Sequence, residues 1–296
     1  MNRRTWAALS TLLLGGCIIH GTEEQAVERF QFDVSPPARL VARVEDGSIE
    51  IVGTRSQEIR VTVIKKARGP NPESAAALLD HLVVDAKQEG QTVRLEVRSD
   101  SGWKWDDKSF GPRRLESDVE IRVPLKTDLE LTTRDGRIVI EKVEGTIRAE
   151  TDDGRVRLRD ITGEVRARTS DGSIVGIGLD GTIDVATEDG RIELEGRYQK
   201  LKAVTSDGSI KIRCSDGTPP PVEDWMIRSS DGSISVTFPE NLSADLEAST
   251  ADGRIVKELR FTEVRGDKRW LKGKLGEGGS LIYVKTSDGR ITLRSR

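Results

Sequence analysis

Cysteine is scarce in this chain: Cys17 and Cys214 are the only two in 296 residues. That excludes a disulfide-stapled scaffold and leaves a hydrophobic core to hold the fold, for which a chain of this length is ample. Histidine is equally rare. His20 and His81 stand far apart with no carboxylate motif beside either, so the sequence offers no zinc site and no catalytic triad. Aromatic residues make up 4% of the chain, and Trp103, Trp105, Trp225 and Trp270 all fall outside the most regular segments. The aromatic platforms and paired carboxylates of glycan-processing grooves are therefore not in evidence. Charge of one sign is lacking too. Lys and Arg number 47 against 50 Asp and Glu, for a formal charge of −3, with no basic stripe. Nucleic acid is a poor partner on these grounds.

What the chain has is repetition. Nine Asp-Gly pairs, beginning at Asp46, Asp135, Asp153, Asp171, Asp189, Asp207, Asp231, Asp252 and Asp288, are each followed one residue later by Ile or Val. From Asp135 to Asp207 the spacing is 18 residues each time, and the later gaps are 24, 21 and 36. Those gaps read as a coil with an insert, a coil with a smaller insert, and two coils. A fixed period of this size marks a repeat architecture. Before each turn, Leu129, Ile147, Val165, Ile183 and Leu201 form one register. Leu131, Ala149, Ala167, Val185 and Ala203 form the next, and Thr133, Thr151, Thr169, Thr187 and Thr205 a third. After it come Ile138, Val156, Ile174, Ile192 and Ile210. Charged residues alternate with these, the period-two pattern of a strand with one buried face.

Two all-β architectures fit. In a β-solenoid each 18-residue unit is one coil and equivalent residues stack along the axis. In an up-and-down meander each unit is a hairpin closed by Asp-Gly. The like-for-like repetition of inward residues favours the solenoid. In either case the Asp-Gly pairs are expected to be turn devices, with Gly172 and Gly190 at positive φ.

The N-terminus reads as a targeting segment. Arg3 and Arg4 precede the apolar run Trp6 to Leu14, which is too short to span a bilayer. Leu14-Gly15-Gly16-Cys17 resembles the bacterial lipoprotein signal, which implies a lipidated Cys17 as the mature N-terminus and Cys214 as a lone thiol. The absence of Asp at position 18 implies the outer membrane, by the sorting rule of enterobacteria-like lipoproteins. The expected organisation is a signal peptide over 1–16, a lipidated Cys and short tether over 17–29, and one β-solenoid domain over 30–296. Within that domain a helix is expected from Pro72 to about Leu82, with Asn71 as N-cap and an apolar face of Ala75, Leu78, Leu79 and Leu82. Pro219, Pro220 and Pro221 mark an external loop. A degenerate coil is expected around Val264.

The segments "LVARVEDGSIEIVG", "VEIRVPLKTDLELTTRDGRIVI" and "LIYVKTSDGRITLRSR" resemble a bacterial family known as putative adhesins, a domain of otherwise unknown function. The resemblance spans nearly all of the mature chain. It implies surface or envelope association and brings no catalytic residues.

The only repeated candidate site is the column Asp135, Asp153, Asp171, Asp189 and Asp207, whose carboxylates could in principle ligate a cation. The spacing matches neither the nonapeptide calcium repeat nor an EF-hand loop, so the column reads as structural. Neither a cofactor nor a metal is expected. Cys214 reads as a packed residue, and Arg265-Gly266-Asp267 as a chance tripeptide. The function expected is that of a non-enzymatic envelope lipoprotein with a structural, adhesive or partner-binding role. Its partners would be the membrane, through the lipid, and an envelope protein or glycan. The alternatives are a carbohydrate-active β-helix enzyme and an accessory protein of envelope signalling.

Overall fold

The computed structural model describes residues 5–7, 22–100 and 114–296. Among them are 22 strands and one helix, so the fold is all-β with a single helix of about two turns. The chain forms two compact units, residues 1–139 and 140–296.

In the second unit the strands Val156–Arg168, Ile174–Ala186 and Ile192–Val204 lie side by side. Their pairing is parallel: Val156 faces Ile174 and Ile174 faces Ile192, each 18 residues on. A meander would have paired successive segments antiparallel, so the coil is the repeat and the unit is a solenoid. In the first two of these strands a glycine takes positive φ, at Gly163 (125°) and Gly181 (135°). The inward registers form the core, with Val165, Ile174, Ile183, Ile192, Leu201 and Ile210 all within 1% of full burial. Side chains of this size each contribute roughly 1.5–3 kcal/mol when fully buried. Gly176 interrupts one register, and the Leu179 side chain fills its place: a Cβ at Gly176 would lie 2.6 Å from Leu179 Cδ1.

Beyond Cys214 the order of coils in space departs from their order in the chain. The segment before the turn continues from Leu201–Val204 to Trp225–Arg228, then to Leu281–Thr286, and only then to Ala244–Thr250. The segment after the turn follows the same course, from Ile210–Cys214 to Ile234–Phe238, Ile291–Ser295 and Ile255–Glu258. The C-terminal coil is thus inserted between the Asp231 and Asp252 coils. The expected degenerate coil around Val264 is instead an antiparallel ribbon. Glu263–Gly266 pairs with Trp270–Leu275, and Trp270–Leu275 pairs antiparallel with Ala244–Thr250. The chain makes this excursion to cover the outermost coil, then returns to fill the gap. Backbone groups that would otherwise form an open parallel edge are paired.

In the first unit Ala38–Val44 pairs parallel on one side with Thr92–Ser99 and on the other with Thr127–Thr133, so Leu40 faces both Val93 and Leu129. Glu58–Gly69 is antiparallel to both Thr22–Asp33 and Arg114–Pro124. The strand Thr22–Asp33 takes in residues 22–29, expected to be tether. It is fixed there by Phe32, buried opposite Ile59, and by an ion pair of Glu28 with Lys65 at 2.6 Å, both nearly buried. The short strand Thr5–Ala7 pairs with Thr22–Asp33 at Val27 to Arg29. The helix spans Pro72–Leu79, about a turn shorter than expected because Leu82 already begins the strand Leu82–Glu89. Asn71 caps it, its side chain accepting from the Ser74 N–H at 2.8 Å, and Ala75 and Leu78 are its buried residues.

Candidate functional site

The repeated turn is built from two residues three apart. In the Asp171 coil, the Gly172 N–H donates to Thr169 Oγ1 at 3.1 Å, and the same hydroxyl lies 3.0 Å from the carbonyl of Gly154 one coil back. Thr187 repeats this with Gly190 and Gly172, and Thr205 with Gly208 and Gly190. Ser229 does so with Gly232 and Gly208, Thr286 with Gly289 and Gly232, and Thr250 with Gly253 and Gly289. The inward threonine is thus a buried hydrogen-bond relay between coils. Each hydroxyl satisfies an N–H and a C=O that burial would otherwise leave unpaired, at a cost of about 1–3 kcal/mol apiece. The relay also carries the inserted coil order, since Thr286 reaches Gly232 and Thr250 reaches Gly289.

The glycines have a different role from the one expected. Gly172 and Gly190 are absent from the positive-φ residues. They are required by proximity: a Cβ at Gly172 would lie 1.9 Å from the Gly154 carbonyl oxygen, and one at Gly190 would lie 1.8 Å from that of Gly172. The turns of neighbouring coils touch backbone to backbone, and only glycine permits that approach.

With the turn's hydrogen bonds carried by Thr and Gly, the Asp side chains point outward. Asp135, Asp153, Asp171, Asp189 and Asp207 are all exposed. Among the described residues no group of three or more His, Cys, Asp or Glu converges to hold a metal ion. Cys214 is buried, and burial pushes its thiol up to about 12. It packs in the coil region of Tyr198 and Trp225, whose rings meet edge-on at 5.9 Å. In the Arg265-Gly266-Asp267 tripeptide the carboxylate is committed within its own turn. Asp267 accepts from the N–H groups of Arg269 (2.7 Å) and Trp270 (3.0 Å), and those bonds hold its carboxyl below the usual range. Cys17, His20, Trp103 and Trp105 lie outside the described residues.

An open cleft of about 650 Å³ lies beside the last coils of the second unit, with Phe238, Leu242 and Leu275 at its base and Lys257, Glu258, Arg260 and Arg296 around it. Its rim carries both signs of charge, and Glu258 is already paired with Arg294 at 2.8 Å.

A more distinctive surface is the outer face of the sheet that precedes the turns. Register places two outward rows across six parallel strands. One runs Arg166, Asp184, Lys202, Met226, Tyr283, Glu247, and the other Arg168, Ala186, Val204, Arg228, Lys285, Ser249. The two acids are neutralised within the unit, Asp184 by Arg168 at 2.7 Å and Glu247 by Lys272. Among the described residues, no acid pairs with Arg166, Lys202, Arg228 or Lys285. The period-two pattern marked these residues as outward. It did not show that they share a face, because that depends on the inserted coil.

A solenoid of glycine-turn coils, stapled by buried threonines and presenting in-register outer faces, is a scaffold with a repeated surface. The chain belongs to the Toastrack DUF4097 family, whose model matches residues 38–294. None of the curated proteins matches it. Among solved structures, it is similar to a protein of Parabacteroides distasonis ATCC 8503 described as a "putative lipid binding protein". Identity there is 15%, over 90% of this chain and 96% of that one, with a TM-score of 0.47. A "putative adhesin" from Parabacteroides merdae ATCC 43184 shares 9% identity over 91% of this chain and 95% of that one, with a TM-score of 0.45. Another, from Bacteroides fragilis NCTC 9343, shares 14% over 91% and 97%, with a TM-score of 0.41.

Proposed function

We propose that this chain is a non-enzymatic lipoprotein of the bacterial envelope, tethered through lipid on Cys17, that works as an adhesive or partner-binding surface. The observation that carries the binding role is the outer face of the second unit. Parallel coils hold its side chains in fixed register, and four of its cations have no acidic partner among the described residues. Rigid strands present such groups with less ordering cost than loops would. The anchor rests on the Leu14-Gly15-Gly16-Cys17 sequence. Residues 18–21 lie between the proposed lipid on Cys17 and the strand Thr22–Asp33. Four residues extend at most about 14 Å, so in this reading the first unit lies close to the bilayer, that of the outer membrane by the sorting rule.

Mass spectrometry of the mature N-terminus tests the anchor. A diacylated or triacylated Cys17 is expected, with partition into detergent that Cys17→Ala abolishes. An unmodified N-terminus at any other residue refutes it. Incubating the purified protein with envelope glycans tests the rest: retention without any change in polymer length is expected, and shortening of the polymer would establish an enzyme instead.

A further inference from the structure

We propose that the outer face centred on Lys202, Arg228 and Lys285 binds a linear acidic polysaccharide laid across the coils. This rests on the non-enzymatic binding role above and adds the class of ligand. Three features of the face lead to it. The first is charge. Although the whole chain is slightly acidic, at −3, both acids in these two rows are taken by Arg168 and Lys272, leaving Arg166, Lys202, Arg228 and Lys285 without an acidic partner among the described residues. All four are exposed. The complement of such a surface is a polyanion.

The second feature is spacing. Arg228 faces Lys285 directly on adjacent parallel strands, and Val204 faces Arg228 on the other side. Neighbouring strands lie about 4.8 Å apart and alternate residues along a strand about 6.6 Å. Cations therefore recur at intervals comparable with the acidic groups of an extended glycan, which carries one ionised group per sugar or per disaccharide.

The third is the apolar part. Met226 stands between Lys202 and Tyr283 in its row, 43% exposed, while Tyr283, Val204 and Ala186 are half-buried. A tyrosine ring and a thioether suit the C–H face of a sugar ring. A bilayer would instead call for a cluster of protruding apolar groups that insert between lipids, whereas the two on this face, Met226 and, beyond Ser249, Trp270, stand three strands apart. The observations thus favour a polymer lying on the sheet over a membrane pressed against it.

The test uses the purified mature protein, with polygalacturonate as the acidic probe, dextran as the neutral one and phosphatidylglycerol vesicles as the lipid one. Polygalacturonate is expected to bind at low ionic strength and weaken as salt rises, as screening shortens the range of the field. The triple variant Lys202→Gln, Arg228→Gln, Lys285→Gln should bind it at least tenfold more weakly. A variant of equal charge change on the sheet that follows the turns, Arg157→Gln, Arg159→Gln, Lys211→Gln, should bind within about twofold of wild type. Unchanged melting temperatures in both variants keep the comparison one of binding. Equal loss in the two variants, equal binding of dextran, or binding to vesicles alone would each overturn the inference. Shortening of polygalacturonate would overturn the non-enzymatic reading instead, so the two failures are distinguishable.

Discussion

In the second unit a strand's neighbour is its own repeat: Val156 faces Ile174, and Ile174 faces Ile192. In the first unit the parallel neighbours come from far along the chain. Leu40 faces Val93 on one side and Leu129 on the other, and Ile51 faces Ile121. The turns reveal the same contrast. Gly172 and Gly190 each sit on a glycine carbonyl of the coil before. Gly136 sits likewise on the Gly47 carbonyl, but Gly47 sits on the carbonyl of Ser117, a residue with a side chain. A rung needs glycine when its own Cβ would strike the backbone beneath it. Ser117 supplies the contacted carbonyl, so its side chain costs nothing there. The glycine column is thus a property of stacking, and it ends where stacking ends.

Substitutions can break or sharpen that comparison. The largest effect is expected from Gly172→Val. The new Cβ would lie 1.9 Å from the Gly154 carbonyl oxygen, so coils must separate or the variant must fail to fold. Loss of the cooperative urea transition, or a stability loss above about 4 kcal/mol, is expected. Ser117→Gly in the first unit should cost about 1 kcal/mol or less, the ordinary entropic cost of glycine in a strand. Similar losses from the two would erase the distinction.

Thr187→Val comes next. It keeps the shape and removes the hydroxyl that joins the Gly190 N–H to the Gly172 carbonyl. About 1–3 kcal/mol should be lost, as expected for buried polar groups left unpaired. A neutral result in urea titration would show that the relay contributes nothing. Asn71→Ala, in the first unit, removes the helix cap and should cost about 1 kcal/mol. Arg166→Ser, at an outward position of the second, should stay within about 0.5 kcal/mol.

Much of this was legible in the residues, for reasons that vary by element. The 18-residue period and the inward registers were readable because each coil packs on its own equivalent, so identical environments select similar residues. Asn71 and Pro72 placed the helix start because capping is local chemistry. The inserted coil was not legible. Asp252 and Asp288 carry the same turn signature as the rest, and nothing in a periodic pattern orders one rung above another. The role of glycine was misread for a related reason. Asp-Gly is the common signal of a positive-φ hairpin turn, whereas here the constraint comes from a backbone 18 residues away. The inward threonines were visible as a register, but their use as a relay depends on a carbonyl in the neighbouring coil. The cationic outer face combines these limits, because Arg228 meets Lys285 only through the insertion.

The inserted coil is therefore the claim on which the face and the Thr286 and Thr250 links of the relay depend, and cross-linking tests it directly. Ser235 faces Thr292, and Val256 faces Thr292 from the other side. Adjacent strands lie about 4.8 Å apart, within the Cα separations of about 4.4–6.8 Å that a disulfide spans. Two strands away the separation is about 9.6 Å, too far to bridge. On oxidation, the pairs Ser235→Cys with Thr292→Cys and Val256→Cys with Thr292→Cys should each form an intramolecular disulfide, seen by mass spectrometry under native conditions. Ser235→Cys with Val256→Cys should form none. Ready bridging of residues 235 and 256, with none between 235 and 292, would mean that the coils stack in chain order.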